Sequence, residues 1–216
     1  RKESFEDENL EAIVFGSAGL LDLEKEDNYY KDLKFRYFYL LHKYQIDKTF
    51  VEPVQFFKHR PDNFPTIRLS QLANLYHTHQ NLFSKISTVN SLSSIYEIFQ
   101  ITASNYWQNH YQFDKESPKK KKMLSKSFID LIVINTFIPL QFAYAKSIGK
   151  ENSEDLILLL NDISCEKNAI IDKFSSFGIT PKNAFESQSL LQLKNEYCNK
   201  SKCLECAIGI ELLKSS

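Results

Sequence analysis

Glycine is scarce in this chain, with five in 216 residues. Sandwiches and barrels built from many short strands need turn signals every roughly 8–12 residues, and glycine supplies much of that chemistry. Its scarcity argues against an all-β fold. Net charge is also missing, because 27 Lys+Arg balance 27 Asp+Glu. That excludes a uniformly basic nucleic-acid binder, although a local basic patch is still open. Cysteine is limited to four residues. A chain of this length buries a core without disulfide staples. There is one methionine, Met123, and residue 1 is Arg, so the chain reads as a piece of something longer. The start is charged and has no apolar run, so no signal peptide is expected. The expected location is cytoplasmic.

No long uninterrupted apolar run is present. The most apolar stretch, "FIDLIVINTFIPLQFAYA" (Phe128 to Ala145), contains Asp130, Asn135, Pro139 and Gln141. A membrane span needs roughly 20 predominantly apolar residues. The segment therefore reads as a buried core helix kinked at Pro139, and no membrane partner is expected. There is no nucleophile–base–orienter set, no phosphate-cradling glycine loop and no acidic cluster of metal spacing. No catalytic residue is assigned.

What the chain does have is helical periodicity and aromatic bulk, with 17 Phe and 11 Tyr. "NLEAIVFGSAGLLD" (Asn9 to Asp22) is helical, and Gly16 and Gly19 are placed to let another element approach. In "DNYYKDLKFRYFYLLHKYQI" (Asp27 to Ile46), Tyr30, Leu33, Tyr37, Leu40, Leu41 and Tyr44 recur at helical spacing behind an Asp27 N-cap. Residues 47–64 read as an extended connection. Pro65 suits a helix first turn, and that helix runs to about Leu82. Two short helices follow, Leu82 to Ser87 and Ser91 to about Thr102. "SNYWQNHYQF" leads into a loop, "DKESPKKKK". The apolar helix spans Ser125 to Ile148. Four more helical segments complete the chain, one of them opening at Pro181 after Gly178 ends its predecessor. No strand pair and no repeat is evident. The expected fold is all-α: a single domain over 1–216, about nine or ten helices in an irregular, orthogonal bundle around the kinked helix.

Two places carry candidate chemistry. The first is "HRPDNFPTIRLSQLA" (His59 to Ala73). Arg60 and Arg68, extended by Lys58, frame a helix start whose free N–H groups favour anions. The lysine run Lys119, Lys120, Lys121 and Lys122 adds to this candidate anion or nucleic-acid set. The competing reading is structural. Arg68 would satisfy buried carbonyls of a neighbouring loop, Asn63 would cap or turn the chain, Pro65 would fix the helix entry, and the lysines would be a solvated loop. Trp107, beside that run, serves either as a base-stacking ring or as a core anchor. The second place is "YCNKSKCLECAIG". Cys203 and Cys206 fall on one helical face and Cys198 ends the preceding helix. A C-x4-C-x2-C trio suits three positions of a zinc or iron–sulfur centre. Equally, free cysteines behave as small hydrophobes in a helix hairpin. No cofactor is required for folding.

The segments "EAIVFGSAGLL", "RPDNFPTIRLSQLA", "NYWQNHYQF", "INTFIPLQFAYA" and "YCNKSKCLECAIG", in this order, resemble a domain-of-unknown-function family, family 2851, found mostly in Bacteroidetes. The resemblance implies that this chain is the C-terminal helical half of a longer protein. The N-terminal half of that protein carries a β-containing domain with a Glu-x-x-x-Lys-like pattern suggestive of restriction-type nucleases. No residue of that pattern lies in this chain. At the position of Cys165, the obvious fourth metal ligand, the family usually has a small residue other than cysteine. Since no catalytic set is present, the expected function is that of a non-catalytic helical domain that packs on the N-terminal half of its own polypeptide. The alternative is a nucleic-acid-binding accessory domain.

Overall fold

The computed structural model describes residues 7–46 and 54–214. The first part of the expected extended connection, 47–53, lies outside the described residues. The chain is 64% helical, so the fold is all-α. It is divided into two compact units, one formed by Arg1–Ile86 with Ile95–Ile129 and the other by Ser87–Ser94 with Asp130–Ser216.

The first unit holds α1 (Asp7–Ser17), α2 (Asn28–Tyr44), α3 (Pro65–Thr78) and α4 (Leu82–Thr88, whose last residues pass out of this unit). Asp27 caps α2, its Oδ1 accepting the Tyr30 N–H at 3.0 Å. Glycine explains how α1 meets α2. A Cβ on Gly16 would lie 2.3 Å from the Tyr37 ring, so only glycine fits there. Gly19 does something else. Its φ is +73°, and the bonds Leu20 N–H to Phe15 O and Gly19 N–H to Gly16 O close a Schellman turn that ends α1. The expected helix to Asp22 therefore stops at Ser17.

Around α1–α3, Ala12, Phe15, Leu21, Tyr30, Leu33, Tyr37, Ile67, Ala103, Trp107 and Phe113 form one buried cluster. Trp107 is fully buried and stacks on Phe15 at 5.4 Å. A short antiparallel ribbon, β1 (His110–Gln112) with β2 (Lys115–Glu116), follows it. No strand was expected there. With three and two residues and an irregular register, the ribbon is too short to show alternation. Its turn residue, Asp114, accepts the Asp27 N–H at 3.0 Å and the Lys25 ammonium at 3.0 Å, which anchors the ribbon to the start of α2.

The second unit contains most of a continuous helix, Lys126–Ser147, whose first residues to Ile129 belong to the first unit. It is made of α6 (Lys126–Ile132), a π-helical turn (Val133–Phe137) and α7 (Ile138–Ser147). The π turn lies just before Pro139, where the ring cannot donate to the carbonyl four residues back and crowds it. By length and composition this helix is long and apolar enough to cross a membrane, and 33% of its most apolar window is buried. The buried core helix expected from the sequence is thus buried over part of its surface only. Val133, Phe137, Gln141 and Ala145 form a buried stripe, while Leu140, Phe142, Tyr144 and Ile148 are exposed. A kinked apolar helix exposes its flanks because one stripe of four-residue spacing is all that its neighbours cover.

Also in this unit are α8 (Ser153–Asp162), α9 (Ala169–Ser176), α10 (Ala184–Gln192), a π segment (Leu193–Cys198) and α11 (Ala207–Lys214). The helix α5 (Leu92–Ile98) has its first residues, to Ser94, in this unit and the rest in the first. Asn168 caps α9, accepting from the Ile170 and Ile171 N–H groups. Asn183 caps α10, so that helix opens at Ala184 rather than at Pro181. Proline is tolerated in a first turn, but an Asn with its side chain on the Glu186 N–H makes the stronger start.

One buried group was not singled out by sequence. Glu11 is 0% exposed. It accepts the Tyr29 hydroxyl at 2.8 Å and the Trp107 indole N–H. Burial raises its pKa, opposed by hydrogen bonds from Tyr29, Trp107, Ser70 and Ser104. All four donors are neutral. The folded state thus keeps a proton on Glu11 at pH values where the unfolded chain has lost it, and stability falls as pH rises through that window. We expect Glu11→Gln, which preserves the shape, to melt progressively higher than the wild type as pH increases from about 4.3, the ordinary Glu value, towards 8. A difference that is flat in pH contradicts this.

Candidate functional site

The site grows from the entry to α3. After Arg60, a 3-10 turn (Pro61–Asn63) delivers the chain to Pro65, the first residue of α3. Phe64, not Asn63, occupies the N-cap, and it makes no side-chain cap. Asn63 instead accepts the Arg68 Nη2 at 2.5 Å. Arg68 Nη1 donates to Gln71 Oε1 at 2.9 Å, and the guanidinium lies 3.6 Å over the Phe128 ring. Its partners are two side-chain amides and a ring, not the backbone carbonyls that the structural reading expected. A guanidinium has five N–H donors, so two bonds leave capacity in a fixed frame. Partial burial lowers the Arg68 pKa, with Asp62 opposing, but a guanidinium is still charged at neutral pH.

The role expected of Arg68 belongs to Lys122. This lysine is 3% exposed. Its ammonium donates to the carbonyls of Trp107, Gln108 and His110 and lies 3.9 Å over the Tyr111 ring. Its own carbonyl accepts from Ala103 N–H at 3.0 Å and Gln71 Nε2 at 3.0 Å. The four lysines therefore differ. Lys119 and Lys121 are exposed. Lys120 pairs with Asp62 at 2.6 Å, a contact that holds the Asp62 carboxyl below its usual range and raises Lys120.

Together these elements enclose a cavity of about 330 Å³ lined by Arg60, Asp62, Asn63, Arg68, Lys120, Lys121, Lys122, Met123 and Ser125. Five cationic residues face one carboxylate. Two segments some 60 residues apart in sequence are brought together, and five of the seven cations singled out by sequence line one space. Lys58 and Lys119 do not line it. Lys58 has φ +64° and lies over Phe57. Nor do Pro65, Thr66 or Ile67 line it, so the cavity is built from side chains rather than from the free N–H groups of α3. Sequence reasoning passed over Asp62, Gln71 and Phe128 as site residues. Asp62, two residues after Arg60, carried a local signal, whereas the Phe128 contact depends on tertiary structure.

Residues 1–169 match a family model described as "Protein of unknown function (DUF2851)". The match covers most of the 216 residues. The chain belongs to that family. No curated protein and no solved structure matches it. In this DUF2851 member the matched residues include the whole basic cavity. They stop short of the cysteine segment at 197–209, one of the five segments on which the resemblance was read.

That segment departs from the expected arrangement. Cys203 opens a 3-10 turn (Cys203–Glu205) and Cys206 follows it in extended backbone, so the two do not share a helical face. Cys198 and Cys203 are exposed and Cys206 is buried. Among the described residues, no three His, Cys, Asp or Glu side chains group as metal ligands. Trp107 is enclosed in the aromatic core, its N–H on Glu11, and presents no face to a base.

Lys122→Met should destabilise the domain by about 2–4 kcal/mol, because it strands buried carbonyls. Lys121→Met should change stability by less than about 0.5 kcal/mol. Chemical denaturation of both variants checks this; equal, small effects would show that the Lys122 ammonium is not structural.

Proposed function

We propose that this chain is a non-catalytic helical domain that binds the phosphate groups of a nucleic acid through the cavity at the entry to α3. The observation that carries the reading is the convergence of Arg60, Arg68, Lys120 and Lys121 on one cavity, with Arg68 hydrogen-bonded to neutral amide oxygens. A guanidinium fixed by stacking and amides, with donors to spare, suits a phosphate. Lys120 would exchange its Asp62 partner for the incoming anion. Lys121 and Arg60 supply solvent-facing charge. Contacts of this kind position a backbone without reading sequence.

A second reading concerns the other unit. Leu140, Tyr144 and Ile148 are exposed at every fourth position along the helix that ends at Ser147 and the residue after it. Such a flank is suited to another part of the same polypeptide, and we propose that the N-terminal half expected from the family resemblance packs there in the cytoplasm. The two readings are compatible, since a phosphate-binding accessory can also be docked on a partner domain.

The test is anisotropy of a labelled oligonucleotide over a range of salt concentrations. Affinity should fall as salt rises, and the log–log slope for a single strand should shrink by about 0.7 for each phosphate contact removed. Arg60→Ala with Lys121→Ala should weaken binding and lower that slope at unchanged melting temperature. Binding that is unaltered in this double variant contradicts the assignment.

A further inference from the structure

Next to the basic cavity is a second one of about 380 Å³, lined by Pro61, Phe64, Tyr111, Gln112, Lys115, Glu116 and Ser117. The same turn builds both. Arg60, Asp62 and Asn63 face the basic cavity, whereas Pro61 and Phe64 face the other. Asp62, in the lining of the basic cavity, links a residue of each: it accepts the Tyr111 hydroxyl at 3.0 Å and the Lys120 ammonium at 2.6 Å.

The second cavity has a different chemistry. Its apolar surfaces are the rings of Pro61, Phe64 and Tyr111, and Phe64 and Tyr111 stand edge to face at 6.4 Å. Tyr111 is held at its hydroxyl by Asp62 and over its ring by Lys122 at 3.9 Å, so it is fixed before any ligand arrives. Gln112, Lys115, Glu116 and Ser117 complete its lining. Rings beside hydrogen-bonding side chains suit a planar heterocycle with a polar edge.

We infer that the two cavities are one nucleotide site: the basic cavity takes the phosphate and the Pro61–Phe64–Tyr111 slot takes the base of the same nucleotide, with the slot's polar residues on the base edge. This rests on the phosphate reading above and narrows it. A base paired and stacked in a duplex cannot enter such a slot, so the ligand is a single strand or a free nucleotide.

The experiment uses the full chain and two matched pairs of probes. One pair is a short single-stranded DNA and an abasic strand of equal length and charge. The other is adenosine monophosphate and ribose 5-phosphate. We expect the base-bearing member of at least one pair to bind about tenfold tighter than its base-free counterpart, within the range for stacking one base on an aromatic ring. The pair that shows the difference identifies the source of the nucleotide. Phe64→Leu should abolish the difference and leave the base-free affinity unchanged. Gln112→Ala, which removes an exposed polar group of the slot, should reduce it and serves where Phe64→Leu melts too low to assay. Equal binding within both pairs overturns the base slot while the phosphate reading stands. No binding by any of the four probes overturns both.

Discussion

The basic site depends on one buried ammonium. Lys122 is enclosed at the end of a lysine run, and the carbonyls of Trp107, Gln108 and His110 share its charge. Three carbonyl acceptors and an aromatic face stand in for water around it, which is how a cation becomes tolerable in a dry place. The geometric consequence matters more than the energy. With Lys122 pinned to the aromatic core, and Lys120 N–H on Gln108 O at 2.9 Å, the loop has one course over the surface. That course brings Lys120 and Lys121 opposite Arg60 and Arg68.

The core that receives Lys122 is itself held by polar contacts. Trp107 gives its N–H to Glu11 and its carbonyl to Lys122. A single residue thus joins α1 to the basic loop. Ser104 N–H on Ser70 at 2.9 Å and Gln71 on the Lys122 carbonyl add α3 to the same network. Buried polar networks of this kind specify one arrangement when every member is satisfied. This explains how irregular backbone between Phe99 and Leu124, with little secondary structure, stays ordered enough to present a site. The other members of the run include two exposed side chains, Lys119 and Lys121, and of these Lys121 lines the cavity.

Most helices were legible because apolar residues recur with helical period, and Asp27 and Asn168 announce their starts. The ends were less so: α1 closes early because Gly19 takes a left-handed turn, a choice the apolar pattern "AGLL" does not reveal. The ribbon at 110–116 was invisible, since its pairing rests on backbone bonds and on Asp114 reaching the start of α2. At the site, the kinds of residue were legible but not their division of labour. Four consecutive lysines look alike in sequence, yet only Lys122 is buried, because burial is decided by where the loop crosses Trp107. Likewise Arg68 was expected to serve buried carbonyls. It stacks on Phe128 instead, a contact between residues sixty positions apart. Glu11 was unremarked because a lone acid on an apolar helix face carries no mark of the indole and phenol that will meet it.

We propose that the basic cavity formed by the docked loop and the turn before α3 binds anions. Side-chain and amide NMR of the full chain, titrated with a single-stranded oligonucleotide, tests it directly. Shifts concentrated at Arg60, Asn63, Arg68, Lys120 and Lys121, with Lys58 and α8 unmoved, are the predicted result. Shifts spread over exposed lysines in general, or an unperturbed spectrum, would contradict it.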